Sequence, residues 1–274
     1  MYKIFDIHTH IYPEAIARKA VVKLNNFYEF DKHYNFFPTG EGVFSDLMRS
    51  SLDAGVCGCL MLCVATNAKQ VEHVNDFMAK TVAENTTSDF TPIGFGGIHQ
   101  DYHDITGEAE RIASLGLRGI KIHPDIQGVN IDDKRLMGLY EAVEGKMPIY
   151  FHIGDDREEY QFSSTERLVN IKKRFPNLEV VAAHLGGYSA WEKIGMLTGL
   201  DKIWFDTSSA LYAIDSTEAK RIITELGTER IMFGTDYPVA RADEELARFM
   251  AIELDDDVRA DILYNNAARF LGLK

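Results

Sequence analysis

The sequence has few cysteines, few prolines and no long hydrophobic run. Its 274 residues contain 3 Cys and 7 Pro, and Cys57, Cys59 and Cys63 all lie in one short apolar segment. An odd, clustered set of cysteines is not a disulfide framework and favours a reducing compartment, so we expect a cytoplasmic protein. No charged N-terminal segment precedes an apolar one, and no stretch approaches the ~18 apolar residues of a membrane span, which argues against secretion or membrane insertion.

Positive charge is also scarce. Lys and Arg number 29 against 42 Asp and Glu, a net charge of −13 with neutral histidines. Such an excess of negative charge disfavours a nucleic-acid-binding surface and a polybasic membrane contact. The composition, 46% hydrophobic and 26% charged, is that of a globular protein. We therefore expect a small-molecule substrate, with homo-oligomerisation left open.

Eight short, mostly apolar segments alternate along the chain with longer helical patterns. Near-continuous apolar character is typical of strands that are buried on both faces. Eight β-then-α units in this length predict a (β/α)8 TIM barrel, in the α/β class, as a single domain over residues 1–274; a doubly wound sheet is the alternative. The predicted strands are residues 3–8, 57–64, 91–98, 117–123, 148–152, 179–184, 203–207 and 230–236.

Polar side chains end five of these strands, which is where barrel active sites lie. Because side chains alternate along a strand, His8 and His10 share a face of the first strand, and Phe5 and Ile7 share the opposite, helix-facing side. A single strand-end histidine is more often a hydrogen-bonded structural residue, but five convergent ends indicate a site. Neutral imidazoles with a carboxylate suit zinc, manganese, iron or cobalt. The other strand-end residues are Lys121, His123, His152, His184 and Asp236.

Five motifs in this order resemble the amidohydrolase superfamily. They are His8-Thr9-His10, Gly119-Ile120-Lys121-Ile122-His123-Pro124, Phe151-His152-Ile153-Gly154, Ala183-His184-Leu185-Gly186-Gly187 and Phe233-Gly234-Thr235-Asp236-Tyr237-Pro238. More narrowly, the set is similar to the amidohydrolase-2 group of metal-dependent hydrolases with a TIM-barrel fold. That group also contains decarboxylases that act on aminocarboxymuconate semialdehyde and on resorcylates.

The resemblance implies a role for each strand-end residue. His8, His10, His152 and Asp236 correspond to the metal ligands, and Asp236 and His184 to the catalytic acid/base residues of mononuclear members. In binuclear members the sixth-strand histidine binds a second metal, and a carboxylated lysine on strand four bridges the pair. Lys121 lies on that strand, so two metals stay open, although one divalent ion per chain, zinc first, is favoured. We expect the substrate contacts to be Lys121, His123 and Tyr12.

The resemblance favours a metal-dependent hydrolase that uses a metal-activated water on a small carboxylated or cyclic substrate, such as an amide, lactone or lactam. The alternative is a metal-dependent, non-oxidative decarboxylase of a small carboxylic acid. Related decarboxylases tend to be longer, and this length tilts the expectation toward hydrolysis. A TatD-type nuclease is disfavoured, because strand four offers lysine instead of glutamate and the chain is acidic. The intact ligand set also argues against a barrel that binds without turnover.

The connection after the first strand is rich in aromatic residues. Residues 25–42 contain Phe27, Tyr28, Phe30, Tyr34, Phe36 and Phe37. One interpretation is a lid or an oligomer contact over the barrel mouth. The other is a satellite hydrophobic cluster packed on the barrel.

Overall fold

The computed structural model describes residues 2–273 and contains eight parallel strands that follow one another around a barrel in chain order. The first and last strands meet, because the Ile7 amide donates to the Phe233 carbonyl at 2.8 Å and Thr9 forms a parallel bridge with Tyr237. The predicted (β/α)8 barrel is therefore confirmed. The strands are β1 Ile4–Thr9, β2 Val56–Leu62, β3 Thr91–Gly97, β4 Ile120–Ile122, β5 Ile149–Phe151, β6 Val180–Ala182, β7 Ile203–Asp206 and β8 Ile231–Met232.

Helices on the outside connect most of these strands, and β6 is joined to β7 through a 3-10 segment, Trp191–Leu197. The helix before β8 shows why such segments are helical. Asp215 caps its first turn by accepting from the Glu218 amide, and its buried residues recur at helical spacing toward the barrel. The helices are α1 Glu14–Tyr28, α2 Phe30–His33, α3 Phe44–Asp53, α4 Val71–Asn85, α5 Ile105–Ser114, α6 Pro124–Gln127, α7 Lys134–Val143, α8 Thr165–Arg174, α9 Ser216–Leu226, α10 Ala242–Met250, α11 Asp256–Ala260 and α12 Asn266–Leu271.

Strand side chains divide between two apolar layers. In β5, Ile149 and Phe151 belong to the layer that packs against the helices, whereas Tyr150 belongs to the layer inside the barrel. Residues of other strands alternate in the same way. The interior layer comprises Phe5, Ile7, Leu60, Leu62, Ile93, Phe95, Tyr150, Val181, Ala183 and Met232, with Ala267 and Leu271 of α12.

The first strand departs from the predicted alternation. Phe5 and Ile7 belong to the interior layer and do not face the helices as expected, so that prediction is wrong. The reason is local: the register between β1 and β2 shifts between Ile4 and Asp6 and again between Asp6 and Thr9. Such irregularities interrupt the period of two and re-aim side chains. As a result, the side chains of the neighbouring residues Ile7 and His8 both point into the barrel.

None of the helices within residues 2–273 is long and apolar enough to cross a membrane. Cys57, Cys59 and Cys63 are all free thiols, as expected from their spacing. The cytoplasmic location stays a prediction.

The loops after β5 and β6 touch through their backbones. Gly154 has a positive φ of 86°, and a Cβ placed there would lie 2.6 Å from the Gly187 carbonyl carbon and 2.6 Å from the Tyr188 nitrogen. The Tyr188 amide donates to the Ile153 carbonyl at 2.7 Å. This close approach sets the loop that follows His152 against the loop that follows His184.

We expect Gly154→Ala to lower the free energy of unfolding by more than Gly145→Ala. Both glycines have positive φ, which costs alanine about 1 kcal/mol, but nothing lies within 4 Å of a Cβ at Gly145. The backbone overlap at Gly154 adds roughly 1–3 kcal/mol. Urea unfolding followed by circular dichroism measures both losses, and equal losses would contradict the proposed loop contact.

Candidate metal centre and active site

Three potential ligand atoms converge at the junction of β1 and β8. His8 Nε2 lies 3.1 Å from His10 Nε2, and each of these nitrogens lies 3.4 Å from Asp236 Oδ1. The side chain of His8 is buried, and the side chains of His10 and Asp236 are 12% and 15% exposed. Backbone pairing fixes the junction, since the Asp236 amide donates to the His8 carbonyl at 2.8 Å.

Hydrogen bonds behind the two rings determine where their protons are. His10 Nδ1 contacts the Leu62 carbonyl at 2.8 Å, and His8 Nδ1 contacts Asp206 Oδ2 at 3.2 Å. Both partners can only accept, so each Nδ1 carries the hydrogen and each Nε2 presents a lone pair. Two lone pairs and a carboxylate oxygen therefore face one another with no hydrogen between them.

This donor set fits a divalent metal ion. Ligand atoms about 2.1 Å from a common ion lie about 3.0–3.4 Å from one another, which is the separation found here. A cation also removes the mutual repulsion of the three acceptors. The chemistry of the residues thus agrees with a metal held by His8, His10 and Asp236.

Asp206, at the end of β7, organises the far side of these rings. Its carboxylate accepts from His8 Nδ1, from the Tyr150 hydroxyl and from the Ser208 hydroxyl. Burial alone would raise the pKa of this carboxyl, but His8 and His184 beside it hold the pKa well below its usual range. Asp206 was not among the residues predicted from the sequence, although its place at a strand end is the same signal that identified the others.

His8, His184 and Asp206 form a second group of potential ligand atoms within 4.8 Å of one another. Their atoms are already engaged, because His184 Nδ1 donates to the Ser208 carbonyl at 2.9 Å and His8 Nδ1 donates to Asp206. We therefore interpret this group as the hydrogen-bonded support of the first one.

His152 and His184 face each other from β5 and β6. His152 Nε2 contacts the Gly154 carbonyl at 3.1 Å, which leaves its Nδ1 facing His184 Nε2 at 2.9 Å. Burial lowers the pKa of both imidazoles. Two neutral rings then present lone pairs to each other, a place for a proton or a cation. The structure does not place His152 in the converging group of His8, His10 and Asp236, and its predicted ligand role stays a prediction.

Lys121 lies inside the barrel on β4, 1% exposed. Its Nζ lies 4.8 Å from the centroid of the Tyr150 ring and has no hydrogen-bond partner among residues 2–273. Burial lowers the pKa of this amine to about 8, although the negative charges of Asp236 and Asp206 act to raise it. A buried ammonium without a partner is costly, so the position suits a ligand with an anionic group.

His123, two residues farther along, ends β4 and caps α6. Its Nδ1 accepts from the Ile126 amide at 3.4 Å, and its Nε2 contacts the Tyr28 hydroxyl at 2.8 Å. The ring stacks on His152 with 4.3 Å between centroids. Burial, followed by the charge of Lys121, lowers the pKa of His123 well below its usual range. The site therefore extends from β8 through β1 to β4.

Tyr12 follows β1 and packs beside Gly42, whose carbonyl accepts from the Tyr12 amide at 2.8 Å. Burial and the charge of Asp236 raise the pKa of its hydroxyl. The substrate contacts expected for Tyr12, Lys121 and His123 stay predictions.

The aromatic segment, residues 25–42, lies over the barrel mouth. Tyr28 and Phe30 pack with Tyr188 and Val239. The Tyr34 hydroxyl bonds to Ser189 Oγ at 2.9 Å, and Arg157 donates to the Phe27 carbonyl at 2.6 Å. The segment is thus fastened to loops that follow β5 and β6. Opening and closing of this segment as a lid stays a prediction.

Two open hollows on the surface contain none of these strand-end side chains. One, of about 380 Å³, lies between α1 and residues 40–43, and the other, of about 360 Å³, lies between residues 68–73 and 101–103. The converging ligand atoms and the unpaired amine lie elsewhere, at the strand ends, and we assign the chemistry to that place.

Comparison with known proteins agrees with this site. A family model described as amidohydrolase matches residues 6–273. A curated relative, 2-amino-3-carboxymuconate-6-semialdehyde decarboxylase of Dictyostelium discoideum, is 24% identical over 244 residues. The match covers 74% of this chain and 66% of that protein, slightly less than two thirds of its length.

Solved structures of decarboxylases share the fold. The 5-carboxyvanillate decarboxylase of Sphingomonas paucimobilis has a TM-score of 0.76 at 19% identity, with 100% of both chains covered. A dihydroxybenzoic acid decarboxylase of a Polaromonas species, with bound manganese and the inhibitor 2-nitroresorcinol, has a TM-score of 0.72 at 16% identity. That alignment covers 100% of this chain and 98% of the other.

These relatives overturn the expectation of a hydrolase for an amide, lactone or lactam. The relatives named above are decarboxylases, which favours the alternative. The length argument for hydrolysis fails because this chain aligns along all of a decarboxylase structure. A divalent metal is supported by the family and by the manganese-bound structure, and neither supports zinc in particular.

We expect Asp206→Asn to weaken the binding of Mn²⁺ by about 10–100-fold, as is typical when the partner behind a ligating histidine is lost. The substitution removes the charge that holds the hydrogen on His8 Nδ1. Isothermal titration of the metal-free protein with Mn²⁺ measures this effect. Asp132→Asn, in a partly exposed ion pair with Arg167 away from these rings, is the control. Equal affinity in all three proteins would contradict the role of Asp206.

Proposed function

Since the chain belongs to the amidohydrolase family, and is an enzyme of that superfamily, we propose that it is a metal-dependent decarboxylase of a small carboxylated acid. The observation that carries the proposal is the buried, unpaired Nζ of Lys121, on which the charge of Asp236 acts, inside the barrel that holds the converging atoms of His8, His10 and Asp236. Such an arrangement suits a substrate with a carboxylate and a second oxygen. The decarboxylase activities named for the relatives support the same reaction class.

His8, His10 and Asp236, with His152 as the fourth predicted ligand, would hold the metal. When bound, a divalent ion supplies positive charge that orients the substrate oxygens and stabilises charge that develops on them. We favour one ion per chain, because in the other group, His8, His184 and Asp206, the Nδ1 atom of each histidine is engaged in a hydrogen bond. Manganese is the first metal to test.

Lys121 binds the anionic substrate in this proposal. Its ammonium would pair with a substrate carboxylate, which relieves the cost of a buried charge without a partner. The amine lies over the Tyr150 ring, and this contact fixes the position of the amine along the barrel axis. Tyr150 in turn donates to Asp206, so the position of Lys121 is tied to the support of His8.

The reaction needs a proton at the carbon that loses CO2. The electrons of the broken carbon–carbon bond stay on that carbon, which takes a proton as CO2 leaves. His184 is placed to hold this proton, because its Nδ1 is fixed by the Ser208 carbonyl and its Nε2 is free of backbone partners. Asp236 would stay ionised as a ligand, because a cation beside a carboxylate favours its charged form.

The aromatic segment keeps water away from this chemistry. Tyr28 and Tyr188 above His152 and His184 are only 7% and 4% exposed. A site without water favours the step in which the charged carboxylate leaves as neutral CO2. It also protects the reacting carbon from solvent.

We expect the Mn²⁺-loaded protein to release CO2 from a small carboxylated acid. The panel is 2,6-dihydroxybenzoate, 5-carboxyvanillate and 2-amino-3-carboxymuconate 6-semialdehyde, with the CO2 trapped and the product identified by chromatography. Asp236→Asn should lower kcat by about 10²-fold or more, and Asp132→Asn should leave it unchanged. Full activity in Asp236→Asn with metal bound, or no CO2 from any member of the panel, would contradict the proposal.

We expect Lys121→Met to raise KM by about 10–100-fold, because a charge-assisted contact to the carboxylate is lost. The wild-type amine is charged below its pKa of about 8, so kcat/KM should fall as pH rises through that value. In Lys121→Arg the charge persists and this fall should disappear.

A pH profile of Lys121→Arg that matches the wild type would contradict the role of Lys121 as the charged contact. Elemental analysis of Lys121→Met tests the metal count at the same time. About one equivalent in both proteins agrees with a single ion, whereas about two equivalents that fall on substitution would mean a lysine-bridged pair.

A further inference from the structure

Tyr28, the last residue of α1, carries a hydroxyl into the barrel mouth. It is 7% exposed, and its Oη lies 2.8 Å from Nε2 of His123 at the end of β4. The ring packs against His152 at 5.9 Å and against Tyr188 at 5.4 Å between centroids. The hydroxyl is therefore surrounded by residues of the site, although it comes from the segment that covers it.

The tautomer of His123 decides which way this hydrogen bond runs. His123 Nδ1 accepts from the Ile126 amide as the cap of α6, so the ring hydrogen of neutral His123 is on Nε2. Nε2 then donates to Tyr28 Oη. The hydrogen of the Tyr28 hydroxyl has no acceptor in residues 2–273 and is available to a ligand.

A second unused donor lies on β4, the strand that His123 follows. Lys121, two residues before His123, is buried and its Nζ has no partner among the described residues. Buried donors are almost always satisfied in native proteins, so two unused ones at one strand end indicate a bound molecule with two acceptor oxygens. The packed rings of Tyr28 and Tyr188 and the stacked rings of His123 and His152 surround this place, and such an aromatic lining favours a flat molecule.

We propose that Tyr28 is a specificity-determining residue of the active site, whose hydroxyl donates to a second oxygen of a planar substrate while Lys121 binds its carboxylate. The proposal rests on the proposed decarboxylase function for the identity of the carboxylate. His123 acts through Tyr28 as a positioning residue.

The test compares two probes that differ only in the two oxygens beside the carboxylate. 2,6-Dihydroxybenzoate has a hydroxyl on each side of the carboxylate, and benzoate has none. Isothermal titration with the Mn²⁺-loaded protein gives the affinity of each probe for wild type, Tyr28→Phe and Tyr34→Phe. Tyr34→Phe is the matched control, because it removes a hydroxyl of the same segment that bonds to Ser189 instead of facing the site.

We expect Tyr28→Phe to weaken the binding of 2,6-dihydroxybenzoate by about tenfold and the binding of benzoate by less than about twofold. Only the first probe offers Tyr28 an acceptor. Tyr34→Phe should leave both affinities within about twofold. If Tyr28 only fastened the segment, its loss would weaken both probes equally, and that result overturns the proposal.

Failure of the two proposals can be told apart. Binding that depends on Tyr28 for 2,6-dihydroxybenzoate alone, without CO2 release from any acid, supports the role of Tyr28 and contradicts the decarboxylase. CO2 release with equal binding of both probes by wild type and Tyr28→Phe contradicts the role of Tyr28 alone. If the wild type binds neither probe, the role proposed for Tyr28 is overturned.

Discussion

Three acceptor atoms held face to face impose the main constraint on this structure. Nε2 of His8, Nε2 of His10 and Oδ1 of Asp236 lie within 3.4 Å of one another without a hydrogen between them. Without a cation that arrangement is repulsive, so the surrounding fold must hold it in place. The Leu62 carbonyl and Asp206 fix the two rings from behind, and pairing of β8 with β1 fixes the carboxylate.

The supporting hydrogen bonds also connect parts of the site that act on different atoms. Asp206 contacts His8 and, through its other oxygen, the amide of His184. It also accepts from Tyr150, whose ring lies under Lys121. One buried carboxylate therefore ties together His8, His184 and Lys121, the residues proposed to hold the metal, the proton and the substrate carboxylate. Rigid placement of this kind is what a site needs to favour one reaction geometry.

Much of this architecture follows from the sequence, and the exceptions have physical causes. All eight strands were predictable because apolar runs buried on both faces carry a strong signal, and Lys121 lies on the predicted side of β4 between Ile120 and Ile122. The side chains of β1 were not, since its register shifts depend on pairing with β2. Tyr28 reaches His123 across 95 positions in sequence, a contact that no local pattern reveals. The reaction depends on loops and buried charges, so the motifs alone favoured hydrolysis wrongly.

The junction of β1 with β8 has a consequence for biosynthesis. His8 and His10 are translated well before Asp236, which lies 226 positions after His10. The ligand set is therefore complete only after the barrel has closed, because that closure brings Asp236 against the His8 backbone. A nascent chain holds two histidines of the set but not the carboxylate. If these three residues hold the metal as proposed, binding by the complete set would follow folding in time.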